Sequence, residues 1–292
     1  MHALIQKLLS EQPVITDGAW GSQIQSLGLQ PGECVDNWNL EHSEAIGQVA
    51  SSYVAAGSRI ILTNTFGANR IMLERHGLTD KAAAINKAGA IISRKAAHDA
   101  AFVFGSIGPT GKMVFSGEVS EDELTKAFAE QASALAEGGV HGFVIETMSE
   151  LAEARIALKA AQPFGLPVVV SMTYDSGKGY ERTMMGITPE EASEEFKVVG
   201  ADVIGANCGM GTEYIVSICT RLRSTTNLPI WIKPNAGLPE VLSGSVTYNS
   251  TPESFAGYAL RIVSAGANFI GGCCGTNPEY VRALKHKLKP NA

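Results

Sequence analysis

Short apolar runs alternate with longer amphipathic stretches along nearly the whole chain. Eight of these runs have the length of a strand and few charged residues, so both of their faces are expected to be buried. They predict strands over residues 14–18, 59–66, 102–109, 142–148, 167–174, 201–208, 229–237 and 268–275. A continuous rather than alternating apolar pattern is typical of a parallel sheet that helices cover on its outer face.

Helical patterns fill the spaces between these strands, with apolar residues at a period near 3.6. Several begin with Ser or Thr followed by acidic residues and end at Gly, as helix capping favours. Examples cover residues 43–57, 80–100, 121–139, 149–162 and 188–200, and a short amphipathic helix precedes the first strand.

Eight strand-then-helix units without a linker predict an α/β protein whose residues 1–292 form a single (β/α)8 TIM barrel domain. The rival architecture is a doubly wound open sheet. That fold would be expected to show a G-x-G-x-x-G turn after an early strand, and the sequence contains none.

The composition narrows the classes of partner. The chain of 292 residues is 45% hydrophobic with a net charge of −6, which gives material for a large core but no basic field for nucleic acid or anionic lipid. The N-terminus lacks signal-peptide features, and no apolar stretch reaches the roughly 18 residues of a membrane span. We therefore expect a cytoplasmic protein.

Polar residues and cysteines collect where the predicted strands end, which is the face that carries the active site in a TIM barrel. The second, fourth and fifth of the chain's five cysteines matter most: Cys208 ends the sixth strand, and Cys273 and Cys274 end the eighth. Because only one strand separates these two in a closed barrel, three sulfurs are expected to converge. Three protein ligands leave zinc one open position, which is typical of a catalytic site.

The remaining cysteines have simpler interpretations. Cys34 is predicted to be a loop thiol and Cys219 a core residue on a helix face.

Three thiolates make zinc a poor Lewis acid for carbonyls, but such a zinc can hold a substrate thiol deprotonated near neutral pH. The cluster therefore indicates alkyl transfer to a thiol.

Motifs along nearly the whole chain, including TDGAWG, LTNTFGANR, GANCG, KPNAGLPE and GGCCGTNPE, resemble the homocysteine S-methyltransferase family. The nearest likeness is to the homocysteine-binding barrel of cobalamin-dependent methionine synthase, and betaine–homocysteine methyltransferase is more distant. The resemblance implies that Cys208, Cys273 and Cys274 bind zinc, and that homocysteine sulfur becomes the fourth ligand and is methylated to methionine.

The resemblance also implies roles for five further residues. Glu146 and Asp17 would hold the homocysteine amino group, with backbone around Gly18 near its carboxylate. Asn207 would help to position the site, and Asn235 is a possible fourth zinc ligand in the free enzyme.

The residues alone leave other interpretations open. Glu146 could pair with a lysine or cap a helix, and Asp17 with Gly18 could be an ordinary turn. Asn207 and Asn235 could simply satisfy loop backbone. Trp20 could shape the mouth of the site or only pack.

The methyl donor is not specified by the sequence. No cobalamin-binding segment is expected in this chain, because none of its six histidines lies in a D-x-H-x-x-G stretch. The donor is therefore either a small molecule or a separate corrinoid protein. Alternatives are a methyltransferase that moves a methyl group from another small donor to a corrinoid protein, a zinc-stabilised binding subunit, and a redox protein that uses Cys273 and Cys274.

Overall fold

Eight parallel strands form a closed barrel within residues 1–242 and 245–290, the part of the chain that the computed structural model describes. The strand order is β1-β10-β7-β6-β5-β4-β3-β2, and a parallel bridge between Thr16 and Ile60 joins β1 to β2. The predicted TIM barrel is therefore confirmed. Its strands are β1 (Val14–Ile15), β2 (Ile60–Leu62), β3 (Phe102–Ile107), β4 (Gly142–Met148), β5 (Val168–Met172), β6 (Val203–Cys208), β7 (Ile230–Pro234) and β10 (Phe269–Ile270).

Twelve α-helices accompany these strands among the described residues, and most of the long ones lie outside the barrel against its apolar wall. The predicted caps are present: Ser120 and Thr188 each form a reciprocal capping box with a Glu three residues later. The helices are α1 (Ala3–Leu9), α2 (Gly21–Ser26), α3 (Trp38–Glu41), α4 (Ser43–Ala56), α5 (Arg70–Leu73), α6 (Ala82–Ala97), α7 (Glu121–Glu137), α8 (Leu151–Ala161), α9 (Pro189–Val199), α10 (Thr212–Thr225), α11 (Pro252–Ser264) and α12 (Pro278–Leu288). Short 3-10 helices cover Val35–Asn37, Glu74–His76, Thr79–Lys81 and Gln162–Phe164.

Several strands are shorter than the sequence predicts at their carboxyl ends. The eighth barrel strand ends at Ile270 rather than at residue 275, because the chain turns away at the following glycines. A two-stranded antiparallel hairpin, β8 (Pro239–Leu242) with β9 (Ser245–Tyr248), follows β7 and was not predicted. None of the helices described is long and apolar enough to cross a membrane.

An aromatic layer fills the barrel beneath its carboxyl end. The rings of Phe104 and Trp231 stack across the interior with 6.4 Å between their centroids, and Phe269 lies 5.6 Å from Trp231. Side chains two residues apart on a strand share a face, so Lys233 is the next inward residue above Trp231. The aromatic side chains therefore form an apolar layer directly beneath the polar residues on the floor of the cavity.

Candidate metal centre and substrate cavity

A cavity of about 530 Å³ opens at the carboxyl ends of the strands. Its wall combines four of the five cysteines with buried charged groups and with aromatic and backbone surface. Residues from several loops and strands contribute, among them Gly18, Trp20, Ser106, Glu146, Lys233, Cys208, Cys273 and Cys274. A site at this face agrees with the general rule for TIM barrels.

The three predicted cysteine ligands meet at this cavity, and their sulfurs all lie within 4.8 Å of one another. The Sγ of Cys208 is 3.6 Å from that of Cys273 and 3.7 Å from that of Cys274. A tetrahedral zinc with Zn–S distances of about 2.3 Å places its sulfurs about 3.8 Å apart. The donor set and its spacing therefore fit zinc.

A tight turn aims both neighbouring sulfurs toward Cys208. The amide of Cys273 still donates to the carbonyl of Pro234 on β7, at 2.8 Å, and the chain then reverses so that the Thr276 amide donates back to the Cys273 carbonyl. Gly275 takes a φ of +81°, which glycine adopts at little cost. Because the pair lies in a turn, its side chains do not point to opposite faces as they would on a strand.

Two non-glycine residues at strand ends beside the cluster have left-handed backbone. Cys208 and Thr147 each have a φ of +62°, a conformation that costs such residues free energy and requires support from the surrounding structure. Asn207 provides that support: its Oδ1 accepts from the Thr147 amide at 2.9 Å, and its Nδ2 donates to the Thr147 hydroxyl at 2.7 Å. The same Nδ2 lies 3.9 Å from the Cys273 sulfur.

The sulfurs share their protons unevenly. Hydrogen bonding to Cys208 and Cys273 lowers the pKa of the Cys274 thiol, and hydrogen bonding to Cys273 and Cys274 raises the pKa of the Cys208 thiol. Zinc binding to this cluster would require all three thiols to lose their protons.

Glu146 lies on the cavity floor at β4, with 7% of its surface exposed. Its Oε1 accepts from the Ser106 hydroxyl at 2.5 Å. Burial raises the pKa of the Glu146 carboxyl to about 7, against the opposing effect of Lys233. No cation lies within ion-pair distance of this carboxylate among the residues described, so the alternative of a lysine salt bridge is not realised there.

Asp17 has a different environment from the one predicted. Its side chain is fully buried, and Oδ1 accepts from Lys233 Nζ at 2.5 Å. Oδ2 accepts from Trp20 Nε1 at 2.8 Å and from the Leu62 amide at 2.7 Å. Every contact of the Asp17 carboxylate is therefore with protein donors, and this geometry gives no support to its predicted contact with a substrate amino group.

Gly18 and Asn235 both lie next to the turn that carries Cys273 and Cys274. A Cβ at Gly18 would be 2.7 Å from the Thr276 hydroxyl and 2.9 Å from the Tyr53 hydroxyl, so this part of the wall must be bare backbone. The Asn235 amide links two turns: Nδ2 donates to the Gly209 carbonyl at 2.8 Å, and Oδ1 accepts from the Cys274 amide at 3.0 Å.

Comparison with known proteins identifies the family of this chain. A model of the family described as homocysteine S-methyltransferase matches residues 14–288. The chain belongs to this family. The methionine synthases of Mycobacterium leprae (strain TN) and Mycobacterium tuberculosis (strain ATCC 25618 / H37Rv) are each 27% identical to it over 94% and 95% of its length. The chain spans about a quarter of either relative, 24% and 25%.

Solved structures show the same fold for this homocysteine S-methyltransferase family member. Crystal structures of the homocysteine methyltransferase MmuM from Escherichia coli, in the oxidized and metallated forms, each superpose with a TM-score of 0.81 at 22% identity. The match covers 98% of this chain and 100% of the oxidized form, and 97% and 99% for the metallated form.

Sequence reasoning missed several residues that shape this family member's cavity. Lys233, Ser106 and Thr276 each support a predicted site residue through a hydrogen bond. The signal for Lys233 was available, since a single charge within the apolar strand IWIKP faces the same side as Trp231. Cys34 is a loop residue as expected but also lines the cavity, whereas Cys219 is buried on α10 as predicted.

Proposed function

We propose that the protein transfers a methyl group to the sulfur of homocysteine to form methionine, with zinc held by Cys208, Cys273 and Cys274. The observation that carries this proposal is the set of three sulfurs at tetrahedral spacing in the mouth of the barrel. When bound by three thiolates, zinc keeps a further sulfur ligand deprotonated near neutral pH and still nucleophilic.

The chain itself holds and orients the acceptor. Glu146 offers a buried carboxylate that has no direct cation partner within the described part of the chain, which suits an ammonium group of the substrate. Gly18 lines the cavity with backbone alone, because a Cβ there would collide with Thr276 and Tyr53, and the substrate carboxylate would lie against this backbone. Asn207 fixes the backbone of Thr147 beside the cluster and contacts Cys273, so it acts as a positioning residue.

The methyl transfer is a displacement at the methyl carbon. The thiol proton is released on binding, and a sulfur lone pair then forms the new S–CH3 bond. The donor leaves with the electron pair of its broken bond to the methyl group. The donor is either a small molecule or a methylated corrinoid on a separate protein.

Asn235 remains a proposed fourth ligand in the free enzyme. Its carbonyl oxygen already accepts one hydrogen bond, from the Cys274 amide, and an amide oxygen has a second lone pair available. Ligation is therefore compatible with this contact, which would keep the amide next to the cluster.

The non-enzyme alternative, a zinc-stabilised binding subunit, predicts a closed site of four protein ligands. Within the residues described, only three Cys, His, Asp or Glu side chains converge, which favours an open position. The redox alternative would need a sulfur–sulfur bond of about 2.05 Å. All five cysteines are free here, and the sulfur of Cys208 stands 3.6 Å and 3.7 Å from its neighbours.

The proposal is tested by assaying homocysteine methylation with methylcobalamin, S-methylmethionine and betaine in parallel, together with metal analysis of the purified protein. We expect one zinc per chain and methionine formation with one of these donors. Zinc-loaded protein that forms methionine with none of the donors and does not bind homocysteine would refute the proposal.

A further inference from the structure

The hairpin of β8 and β9 is joined through the backbone to the turn that carries Cys273 and Cys274. The Ala236 amide, which precedes the hairpin, donates to the Cys274 carbonyl at 2.9 Å, and the Ser250 amide, which follows it, donates to the Ala236 carbonyl at 3.1 Å. Asn235 Oδ1 accepts from the Cys274 amide at 3.0 Å. Both ends of the hairpin are therefore linked to a residue that carries one of the three sulfurs.

Tyr248, the last residue of β9, packs its ring directly on this turn. A Cβ built on Gly275 would collide with the Cγ and both Cδ atoms of Tyr248, so the ring occupies the space that a side chain at position 275 would need. Gly275 follows Cys274 and has a φ of +81°. The aromatic ring therefore covers the backbone at the point where the chain reverses.

A hydrogen bond fixes the start of the same turn. The Thr276 hydroxyl donates to the Cys273 carbonyl at 2.7 Å and accepts from the Ala19 amide at 3.1 Å. Gly275 lies inside this turn, and glycine has more backbone freedom than any other residue. Because a packed ring removes much of that freedom, the contact with Tyr248 restricts the turn where its backbone is otherwise least constrained.

The directions of both neighbouring sulfurs depend on the shape of this turn. On a regular strand the side chains of Cys273 and Cys274 would point to opposite faces. In the turn their sulfurs and that of Cys208 all lie within 4.8 Å of one another. A rotation of the backbone at Gly275 would turn Cys274 relative to the rest of the turn and separate its sulfur from that of Cys208, which is 3.7 Å away.

The phenol end of Tyr248 also lies near the cluster. Burial, together with negative charge at Cys274, Cys208 and Cys273, raises the pKa of Tyr248 to about 12. The hydroxyl is therefore uncharged at neutral pH, and replacing Tyr248 by phenylalanine would leave the charge of the site unchanged.

We propose that Tyr248 is a positioning residue for the metal centre, and that its ring holds the turn of Cys273 and Cys274 in the conformation that directs both sulfurs toward Cys208. The inference rests on the proposed zinc ligation and deepens it, because it assigns the support of two ligands to a residue of the hairpin. The competing explanation is that Tyr248 only packs the hairpin against the barrel.

Two variants separate the ring of Tyr248 from its hydroxyl. Tyr248→Phe keeps the ring on Gly275, whereas Tyr248→Ala removes it. Tyr258→Ala is the matched control, because Tyr258 is also a partly buried tyrosine but lies on α11, where Arg261 lies over its ring.

Transfer of zinc to a chromogenic chelator measures how firmly the purified protein holds the metal. We expect Tyr248→Ala to bind zinc about 10- to 100-fold more weakly, the range for loss of a group that orients metal ligands, and Tyr248→Phe and the control to change by less than about twofold. Cobalt(II) in place of zinc gives a second readout, since its visible spectrum depends on the number and arrangement of its sulfur ligands. The spectrum should change in Tyr248→Ala alone, whereas a simple loss of stability would leave the spectrum of the folded protein unchanged.

Wild-type zinc affinity and an unchanged cobalt spectrum in Tyr248→Ala would overturn the role of Tyr248. Equal weakening in Tyr248→Phe would assign the effect to the hydroxyl, and equal weakening in the control would make it non-specific, so either result would also overturn the inference. These outcomes leave the proposed function standing, whereas a wild-type protein that binds no zinc would refute both.

A crystal structure of the zinc-loaded wild-type protein is independent of how the variants fold. It should keep the Tyr248 ring within about 4 Å of the Gly275 Cα atom, the distance of a packing contact. A ring that has moved out of contact with Gly275 while zinc is bound would refute the assignment.

Discussion

Raising the pH from 6 to 8 is expected to strengthen homocysteine binding more than it strengthens binding of 4-mercaptobutanoate, which has the same thiol but no amino group. The reason lies in Glu146, whose pKa burial raises to about 7. Over this interval the ionised fraction of such a carboxyl rises from roughly one tenth to roughly nine tenths. Because only ionised Glu146 attracts an ammonium group, the affinity ratio of the two thiols should rise by about tenfold.

The affinity ratio of the two thiols reports on the ionisation of Glu146 separately from the other groups of the site. Both thiols release a proton when they bind the metal, so that contribution cancels when their dissociation constants are compared at each pH. Calorimetric titrations of zinc-loaded protein at intervals between pH 6 and 8 would give the curve, with its midpoint near the pKa of Glu146.

The variant Glu146→Gln is the matched control. A glutamine oxygen can still accept from the Ser106 hydroxyl, so the local structure should be kept while the charge is removed. In this variant we expect the ratio to be small and independent of pH. A flat ratio in the wild-type protein, or a pH-dependent ratio that persists in Glu146→Gln, would show that Glu146 does not bind the amino group.

Three further predictions follow from the same site. Cys273→Ser should remove zinc and activity while leaving most of the fold, and full zinc retention in metal analysis would contradict the ligand assignment. X-ray absorption should show three sulfurs and one oxygen or nitrogen before homocysteine and four sulfurs after it, and Asn235→Ala should still bind zinc and homocysteine. Because the pKa of Glu146 is raised on folding, its contribution to stability declines from about pH 4.5 to about pH 7. Urea titrations should therefore show Glu146→Gln gaining stability relative to wild type across that window, by up to about 3 kcal/mol, and no gain would refute the burial argument.

The barrel and its cysteine cluster could be predicted from the sequence because both follow from local sequence patterns together with the closure of an eight-stranded barrel. Apolar strand runs and helix caps give eight units, and a closed eight-stranded barrel then brings the end of β6 near the end of β10. Cys208, Cys273 and Cys274 therefore converge although 65 residues separate the first two.

The details of the strand ends could not be predicted, because polar carboxyl ends belong to loops whose hydrogen bonds are set by tertiary contacts. β2 ends at Leu62, and the predicted continuation to residue 66 becomes a turn in which Thr65 donates to the Ser106 carbonyl. The left-handed φ of Thr147 depends on a side chain 60 residues away, Asn207. Neither contact has a local sequence signature.

The pairing of buried charges is the feature that is hardest to predict from the sequence, and it changes the interpretation of the site. Asp17 and Glu146 look equivalent in sequence, as two acidic residues at strand ends, and both were predicted to hold an amino group. Lys233, 216 residues from Asp17, makes them different: it pairs with Asp17 and leaves Glu146 without a direct cation partner among the described residues. A buried carboxylate is stabilised by one cation partner, so the position of a single lysine decides which of the two acids keeps the capacity to bind the ammonium group of the proposed substrate.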